Sequence, residues 1–366
     1  MKNRLNIFYN LDKTLVVSIL IILIFSIPIN WSAINCNIDM MKNKVFHIFI
    51  GIFLMIFLSY LPSKWYEKLS YFFYFFSLVL LFLSFIFGDY INGSNRWLNF
   101  KYFKFQPSEL QKISLPIMIS KILEKSEEKI YLFKLIFSFF LIILPTILIS
   151  LQPDLGTSII TFISTLTIFF FIGIKLRYII FFFFIIVLFF PVIWFFFMKE
   201  YQKLRIMLLI NPNIDPLGSG YHVIQSKIAI GSGGLFGKGW MNGNQSHLQF
   251  LPEHHTDFIF SLLSEEFGFF GVVFLLSIYM IIILRCIYIG IKIDCKFKFL
   301  FIESSVFCFF IYIFINISMV SGLLPVVGIP LPLLSYGGSN LISTMATFGI
   351  IMSMYSSRKK KYLKYE

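Results

Sequence analysis

Apolar runs close to the length of a bilayer-crossing helix, about 20 residues, recur from one end of this chain to the other. They fall near 14–34, 45–61, 70–88, 108–123, 132–151, 157–174, 178–198, 258–284, 300–322 and 337–357, ten in all. The fourth is short and carries Glu109 and Lys112. Composition closes off the soluble alternatives. Of 366 residues, 58% are hydrophobic and 13% charged, against about 45–50% apolar and about 25% charged in soluble domains. The expected fold class is an all-α polytopic integral membrane protein of about ten transmembrane helices. A single membrane domain is expected over 1–366, with a large extracytoplasmic loop at 199–257 between the seventh and eighth helices.

The net charge of +13 fits either nucleic-acid binding or the positive-inside bias of membrane proteins. Position decides between them. With the N-terminus inside, the inner segments carry 20 Lys and Arg and the outer segments 10. This bias predicts an N-in, C-in topology, with the tail Arg358-Lys-Lys-Lys361 against anionic cytoplasmic lipid. No basic stripe with interleaved aromatics marks a nucleic-acid partner. Cys36, Cys286, Cys295 and Cys308 make no CxxC pair or metal-ligand spacing and read as small apolar residues. The first span lacks a small-residue cleavage site and reads as a retained anchor.

Where charge is this scarce, the polar clusters stand out. Asp257 precedes the eighth span in Leu251-Pro-Glu-His-His-Thr-Asp257. It reads as a helix-capping carboxylate or as the head of a polar face carrying Ser261, Ser264 and Gly268, with Glu265 at its edge. Such a face on a membrane helix points into a bundle or a water-filled cavity. Glu109 and Lys112 stand three apart and can pair, as a structural ion pair or as an intramembrane functional one. Arg96 adds positive charge at the same membrane face. Gln152-Pro-Asp154 marks a sharp break between two spans. The uncharged, Pro- and Gly-dense stretch 322–339 predicts a re-entrant outer loop, because irregular backbone at membrane depth must be buried or line a cavity. Gly231-Ser-Gly-Gly-Leu-Phe-Gly-Lys-Gly239 fails both the Walker and the dinucleotide patterns and reads as a tight turn whose amides could meet an anion. Adjacent His254 and His255 lack the spacing of a zinc site.

These residues resemble the SEDS family of bacterial cell-wall synthesis. The resemblance runs from about Asn95 to Ser353 through Asn95-Arg-Trp97, Gln106-Pro-Ser-Glu109, Gln152-Pro-Asp-Leu-Gly-Thr157, Leu251-Pro-Glu-His-His-Thr-Asp-Phe258 and Pro332-Leu-Leu-Ser-Tyr-Gly-Gly-Ser339. Asp215-Pro-Leu-Gly-Ser-Gly-Tyr-His222 and Gln225-Ser-Lys-Ile-Ala-Ile-Gly-Ser-Gly-Gly234 are similar to its rod-shape branch. Gln249 departs from it, standing where relatives often have Glu.

The resemblance implies a peptidoglycan glycosyltransferase of the cytoplasmic (inner) membrane that polymerises lipid II, an undecaprenyl-pyrophosphate disaccharide-pentapeptide. It implies Asp257 as catalytic acid residue, and Glu109 and Lys112 as a functional membrane pair. Asp257 would act as general base, or help hold a divalent cation, magnesium or manganese, beside the leaving pyrophosphate. No organic cofactor is expected. Lys203, Arg205 and Lys112 are expected to neutralise pyrophosphate charge. Arg96, Asp154, Glu253 and His255 complete the substrate-binding set. A class B penicillin-binding transpeptidase and other elongation-machinery membrane proteins are the implied partners. A lipid II flippase and a non-catalytic scaffold are the alternatives.

Overall fold

The computed structural model describes residues 11–91, 94–100, 103–124, 131–175, 191–211, 214–215, 219–243 and 255–362, together with Gln245 and scattered positions between 177 and 189. Its helices are α1 (Lys13–Ala33), α2 (Ile38–Tyr60), the six-residue α3 (Ser63–Lys68), α4 (Ser70–Phe87), α5 (Pro107–Glu124), α6 (Tyr131–Leu151), α7 (Leu155–Phe171), α8 (Glu200–Ile210), α9 (Ser219–Ser232), α10 (Ile259–Ile291), α11 (Lys296–Val320) and α12 (Gly338–Tyr362). Nine of the ten expected apolar segments are helices; the seventh, 178–198, is described only in part, its described positions being helical as far as 197, with a π-helical turn at Ile193–Phe197. Among the described residues six helices are long and apolar enough to cross a membrane: α1, α2, α4, α6, α10 and α11. The chain is therefore a mostly helical, multi-pass membrane protein.

Helix α4 shows how such a sequence packs. Ser70, Tyr74, Ser77, Leu81 and Ser84 recur at helical spacing and are buried, while Phe72, Phe75, Phe76 and Phe82 point outward. This inverts the soluble pattern. Lipid is as apolar as Phe, so the interior takes small and hydrogen-bonding residues that let helices approach. Ser77 Oγ meets Ser114 Oγ of α5 at 2.7 Å, and Tyr74 donates to the Leu141 carbonyl of α6 at 2.8 Å. The principal core gathers around α10, α11, α1 and α12.

Two expectations need correction here. The fold is not wholly α-helical: β1 (Asp89–Ile91), β2 (Ser94–Phe100) and β3 (Phe103–Phe105) form an antiparallel ribbon, with Asp89 opposite Trp97 and Leu98 opposite Phe105. Segments too short to be spanning helices satisfy their backbone groups by pairing instead. The 199–257 segment, expected as the large extracytoplasmic loop, carries α8 and α9. And α2 starts at Ile38 rather than near 45. Asn37 Oδ1 caps it, accepting from Asp39 N and Met40 N at 3.1 Å each, so Lys44 lies inside the helix rather than in an outer loop.

The Gly-rich turn clasps α10. Its Lys238 and Gly239 amides donate to the Glu265 and Glu266 carbonyls at 2.9 and 3.0 Å. In return, the Phe269 amide donates to Gly234 O at 2.9 Å. Gly268 interrupts α10 at φ 64°, and a Cβ there would stand 2.2 Å from Gly237 N. These two amides are thus occupied by helix carbonyls rather than offered to an anion. The polar face expected below Asp257 does point into the bundle: Ser261, Ser264, Glu265 and Gly268 are all buried. Ser261 and Ser264 donate back to their own helix, at Phe258 O (2.6 Å) and Phe260 O (2.7 Å). Glu265 is buried and pairs with Lys238 at 2.7 Å.

Candidate active site

Three polar clusters converge on the strap that joins α11 to α12. The first sits at the head of α7. Asp154 caps this helix, accepting from Thr157 N at 3.3 Å, and its other oxygen receives Gln106 Nε2 at 2.9 Å. Arg96, projecting from β2, reaches the same oxygen at 3.3 Å. The ribbon missed at the sequence level is what carries Arg96 to Asp154. A buried carboxylate with a cap bond, an amide donor and a guanidinium is fully satisfied, as such burial requires.

The second cluster lies on α5. Lys112 Nζ bonds both Glu109 oxygens at 2.6 Å, and Ser343 of α12 donates to Glu109 Oε2 at 2.6 Å. The ammonium rests 4.0 Å above the centre of the Tyr312 ring of α11, a favourable cation–π placement. Both side chains are nearly buried, at 9% and 4% exposure for Lys112 and Glu109. A small cleft opens beside them, with Lys112, Tyr312, Pro332, Ser343 and Phe348 among its mostly apolar walls.

The third cluster is built on Asp257. The residue lies in the turn 255–258 that enters α10, and Phe258 takes the capping position without a side-chain cap bond. The capping role considered for Asp257 is therefore not the one it has. Its backbone carbonyl accepts Asn316 Nδ2 at 2.9 Å, and the same amide nitrogen reaches Ile329 O at 2.6 Å. Gly328, at φ 74°, presents its bare α-carbon to the carboxylate, such that a Cβ there would lie 3.3 Å from Oδ2. His255 holds the strap through backbone, its carbonyl accepting Tyr336 N at 3.0 Å, with its ring 6.0 Å from that of Tyr336.

The strap ties the clusters together. Gly156, in the first turn of α7, abuts Ile329, where a Cβ would meet the Ile329 side chain at 3.0 Å. Tyr312 packs in one apolar group with Ile329. Tyr312 under Lys112 and Asn316 under Asp257 are four residues apart on α11, about 6 Å along its axis. Arg96, Asp154, Glu109, Lys112, Asp257 and His255 therefore gather at one end of the bundle.

The remaining expected residues are placed differently. Lys203 pairs with the exposed Glu200 at 3.0 Å along α8. Arg205 lines a separate shallow pocket with Val223, Lys227, Gly322 and Val326. Glu253, with Gln249 and His254, lies outside the described residues. Tyr312, Asn316 and Ser343 were missed. They are single polar residues in spans, without a motif, and only the packing reveals them. Among the described residues no group of three His, Cys, Asp or Glu side chains forms a metal cage.

Known proteins match this arrangement over nearly its whole length. The FTSW_RODA_SPOVE family, described as cell cycle protein, matches residues 4–360. The peptidoglycan glycosyltransferase MrdB of Escherichia coli K12 is 43% identical over 350 residues, covering 96% of this chain and 95% of that protein. The peptidoglycan glycosyltransferase RodA of Treponema pallidum is 30% identical, covering 92% and 94%. Among solved structures, a chain from a peptidoglycan synthase complex superposes with a TM-score of 0.84 at 31% identity, covering 95% of this chain and 98% of that one. The rod shape determining protein RodA of Thermus thermophilus superposes at 0.72 and 26%, covering 95% and 97%.

Proposed function

Because the chain belongs to the FTSW_RODA_SPOVE family, we propose that it is a peptidoglycan glycosyltransferase that polymerises lipid II for cell-wall elongation and rod shape. The observation that carries the reading is the convergence of Asp257, the Glu109–Lys112 pair and the Arg96–Asp154 pair on one strap. The site lies in a chain 43% identical to MrdB over 96% of its length.

The chemistry follows from the side chains. A sugar 4-hydroxyl attacks C1 of a second, lipid-linked sugar. The new C1–O bond forms as the bond from C1 to the diphosphate oxygen breaks, and the undecaprenyl diphosphate leaves with the electron pair. Asp257 accepts the hydroxyl proton, a role that contributes about 10²–10⁴-fold. Lys112 and Arg96 offer positive charge to the departing diphosphate. Each is tethered to a carboxylate, which fixes its position while leaving other N–H donors available. Arg205 and Lys203 supply further cations at the rim, and Glu253 and His255 are read as outer contacts to substrate.

A divalent cation fits the donors present if substrate completes its shell. Magnesium is commonly held by one or two carboxylates plus substrate phosphates, and the Gly328 cradle leaves space beside Asp257. Asp257 is the residue that would hold such an ion, which would supply further charge neutralisation at the diphosphate.

The inner-rich distribution of Lys and Arg supports an N-in, C-in, ten-span topology in the cytoplasmic membrane, with the site facing outward. The likeness to a chain of a synthase complex that couples polymerization and crosslinking supports a class B penicillin-binding transpeptidase as partner. The test is polymerisation of lipid II by purified protein in detergent, with and without that partner and EDTA, read as glycan strands on a gel. Strand formation by the wild type is expected. Transfer of lipid II across proteoliposomes without any polymer would overturn the reading in favour of transport.

A further inference from the structure

Lys44 of α2 is a charged side chain buried within a membrane helix. Its side chain is 1% exposed, yet no carboxylate pairs with it among the described residues. Instead Nζ donates to Ser335 O at 2.6 Å and to Leu334 O at 3.3 Å. Asn30 of α1 donates to the same Leu334 carbonyl at 2.7 Å. Two buried polar side chains from two helices are thus directed at a single turn of the strap.

That turn is strained and multiply held. Leu333 sits at φ 64°, a left-handed conformation that is costly for a residue with a Cβ. Such strain persists where the surroundings over-determine it, and it collects at functional sites. Tyr279 holds the preceding carbonyl, donating to Pro332 O at 2.6 Å. Ser335 closes the turn, its hydroxyl accepting Leu331 N at 2.7 Å. Neighbouring α2 residues grip the following residues: Asn43 bonds the Tyr336 hydroxyl, and His47 packs against Gly338.

The same turn holds the segment that carries Asp257. Ser335 Oγ donates to Thr256 O at 2.7 Å, and Tyr336 N donates to His255 O at 3.0 Å. From Lys44 to Asp257 the path is one residue, Ser335, and one adjacent peptide. On the far side Asn316 holds the Asp257 carbonyl. The carboxylate therefore projects from a peptide clamped on both flanks, one clamp resting on Lys44 and Asn30.

We propose that Lys44, seconded by Asn30, is a positioning residue for the glycosyl transfer: by clamping the Leu334–Ser335 carbonyls it fixes the turn that aims Asp257. The inference rests on the reading of Asp257 as the proton acceptor. Misplacing a catalytic group by about 1 Å can cost on the order of 10²-fold in rate, without loss of substrate contacts.

The experiment measures lipid II polymerisation per mole of folded protein, scored by a monodisperse gel-filtration peak, with kcat and KM separated. Lys44→Met is expected to lower kcat about tenfold or more, with KM within about twofold of wild type. Lys44→Arg, which keeps the donors, is expected to recover most of the turnover, and Asn30→Leu to show a smaller kcat loss. Lys42→Ala, an exposed lysine on the same helix, serves as the charge control and should match wild type. An Asp257→Ala arm separates the two claims. If Asp257→Ala still polymerises, the reading of Asp257 fails and takes this inference with it. If Asp257→Ala is inactive while folded Lys44→Met keeps wild-type kcat, the inference alone is overturned. It is overturned equally if Lys44→Met raises KM at unchanged kcat, or if folded Lys44→Arg is no better than Lys44→Met.

Discussion

The Glu109–Lys112 pair makes the sharpest energetic prediction. Lys112 Nζ lies 2.6 Å from each Glu109 oxygen, with the side chains only 9% and 4% exposed. Removing one partner strands the other charge in a nearly buried position, and breaking a buried pair this way costs about 3–5 kcal/mol. Glu109→Gln and Lys112→Met should each destabilise by that amount. The double variant removes both charges together. Ser343, the third member, keeps a partner because it also donates to Asn340 O at 3.0 Å. The double variant should therefore lose only about 1 kcal/mol, the scale of one ordinary hydrogen bond. It should be more stable than either single variant, a coupling of several kcal/mol between neighbours in one network. Thermal unfolding in detergent micelles, followed by circular dichroism, gives all four corners of the cycle. Lipid II polymerisation should stay lost in the double variant although its stability returns, since Lys112 is the cation offered to the diphosphate. Additive destabilisation, with the double variant worst of all, would refute the reasoning. So would a double variant that polymerises like wild type.

Other substitutions probe the remaining parts. Gly328→Ala adds a Cβ 3.3 Å from Asp257 Oδ2 at a φ of 74°; polymerisation should fall about tenfold or more while unfolding shifts by only about 1–2 kcal/mol. Gly268→Ala drives a Cβ to 2.2 Å from Gly237 N, so the clasp must open; a lower melting temperature and faster proteolysis within 233–243 would report it. Arg285 grips Asp12 with two bonds at 3.0 and 2.6 Å, while Asp12 also caps α1 through Leu15 N at 3.0 Å. Asp12→Asn keeps a capping oxygen and should cost about 1.5–3 kcal/mol in detergent unfolding. Asp12→Ala should cost about 1 kcal/mol more.

How much of this could be read from the amino-acid order depends on the range of each interaction. Glu109 and Lys112 are three apart, so their pairing follows from helical geometry alone. The apolar runs give the helices because lipid imposes one length and one backbone solution. Arg96 and Asp154 could each be singled out as polar text at one membrane face. Their contact could not, because the ribbon that spans the gap rests on tertiary pairing rather than on a strong local signal. Ser261 and Ser264 could be read from spacing as a face turned into the bundle, and both are buried; that each hydroxyl donates to its own helix is an option always open to serine. Lys44 is the most instructive case. The Asp-, Lys- and Asn-rich text around it resembles an outer loop, but Asn37 starts a helix there. The carbonyls that justify burying a lysine come from the strap 290 residues farther along the chain. Partners at that separation leave no mark in local pattern.

If Asp257 accepts the proton in glycosyl transfer, Asp257→Asn must abolish that step. The substitution preserves shape and leaves the backbone carbonyl bonded to Asn316, so the fold and the Gly328 cradle are retained while the basic oxygen is lost. Single-turnover formation of the first glycosidic bond from lipid II, by folded protein with its transpeptidase partner, should slow by about 10²–10⁴-fold. A rate within about threefold of wild type, far short of the loss expected on removing a general base, would mean that Asp257 is not the proton acceptor.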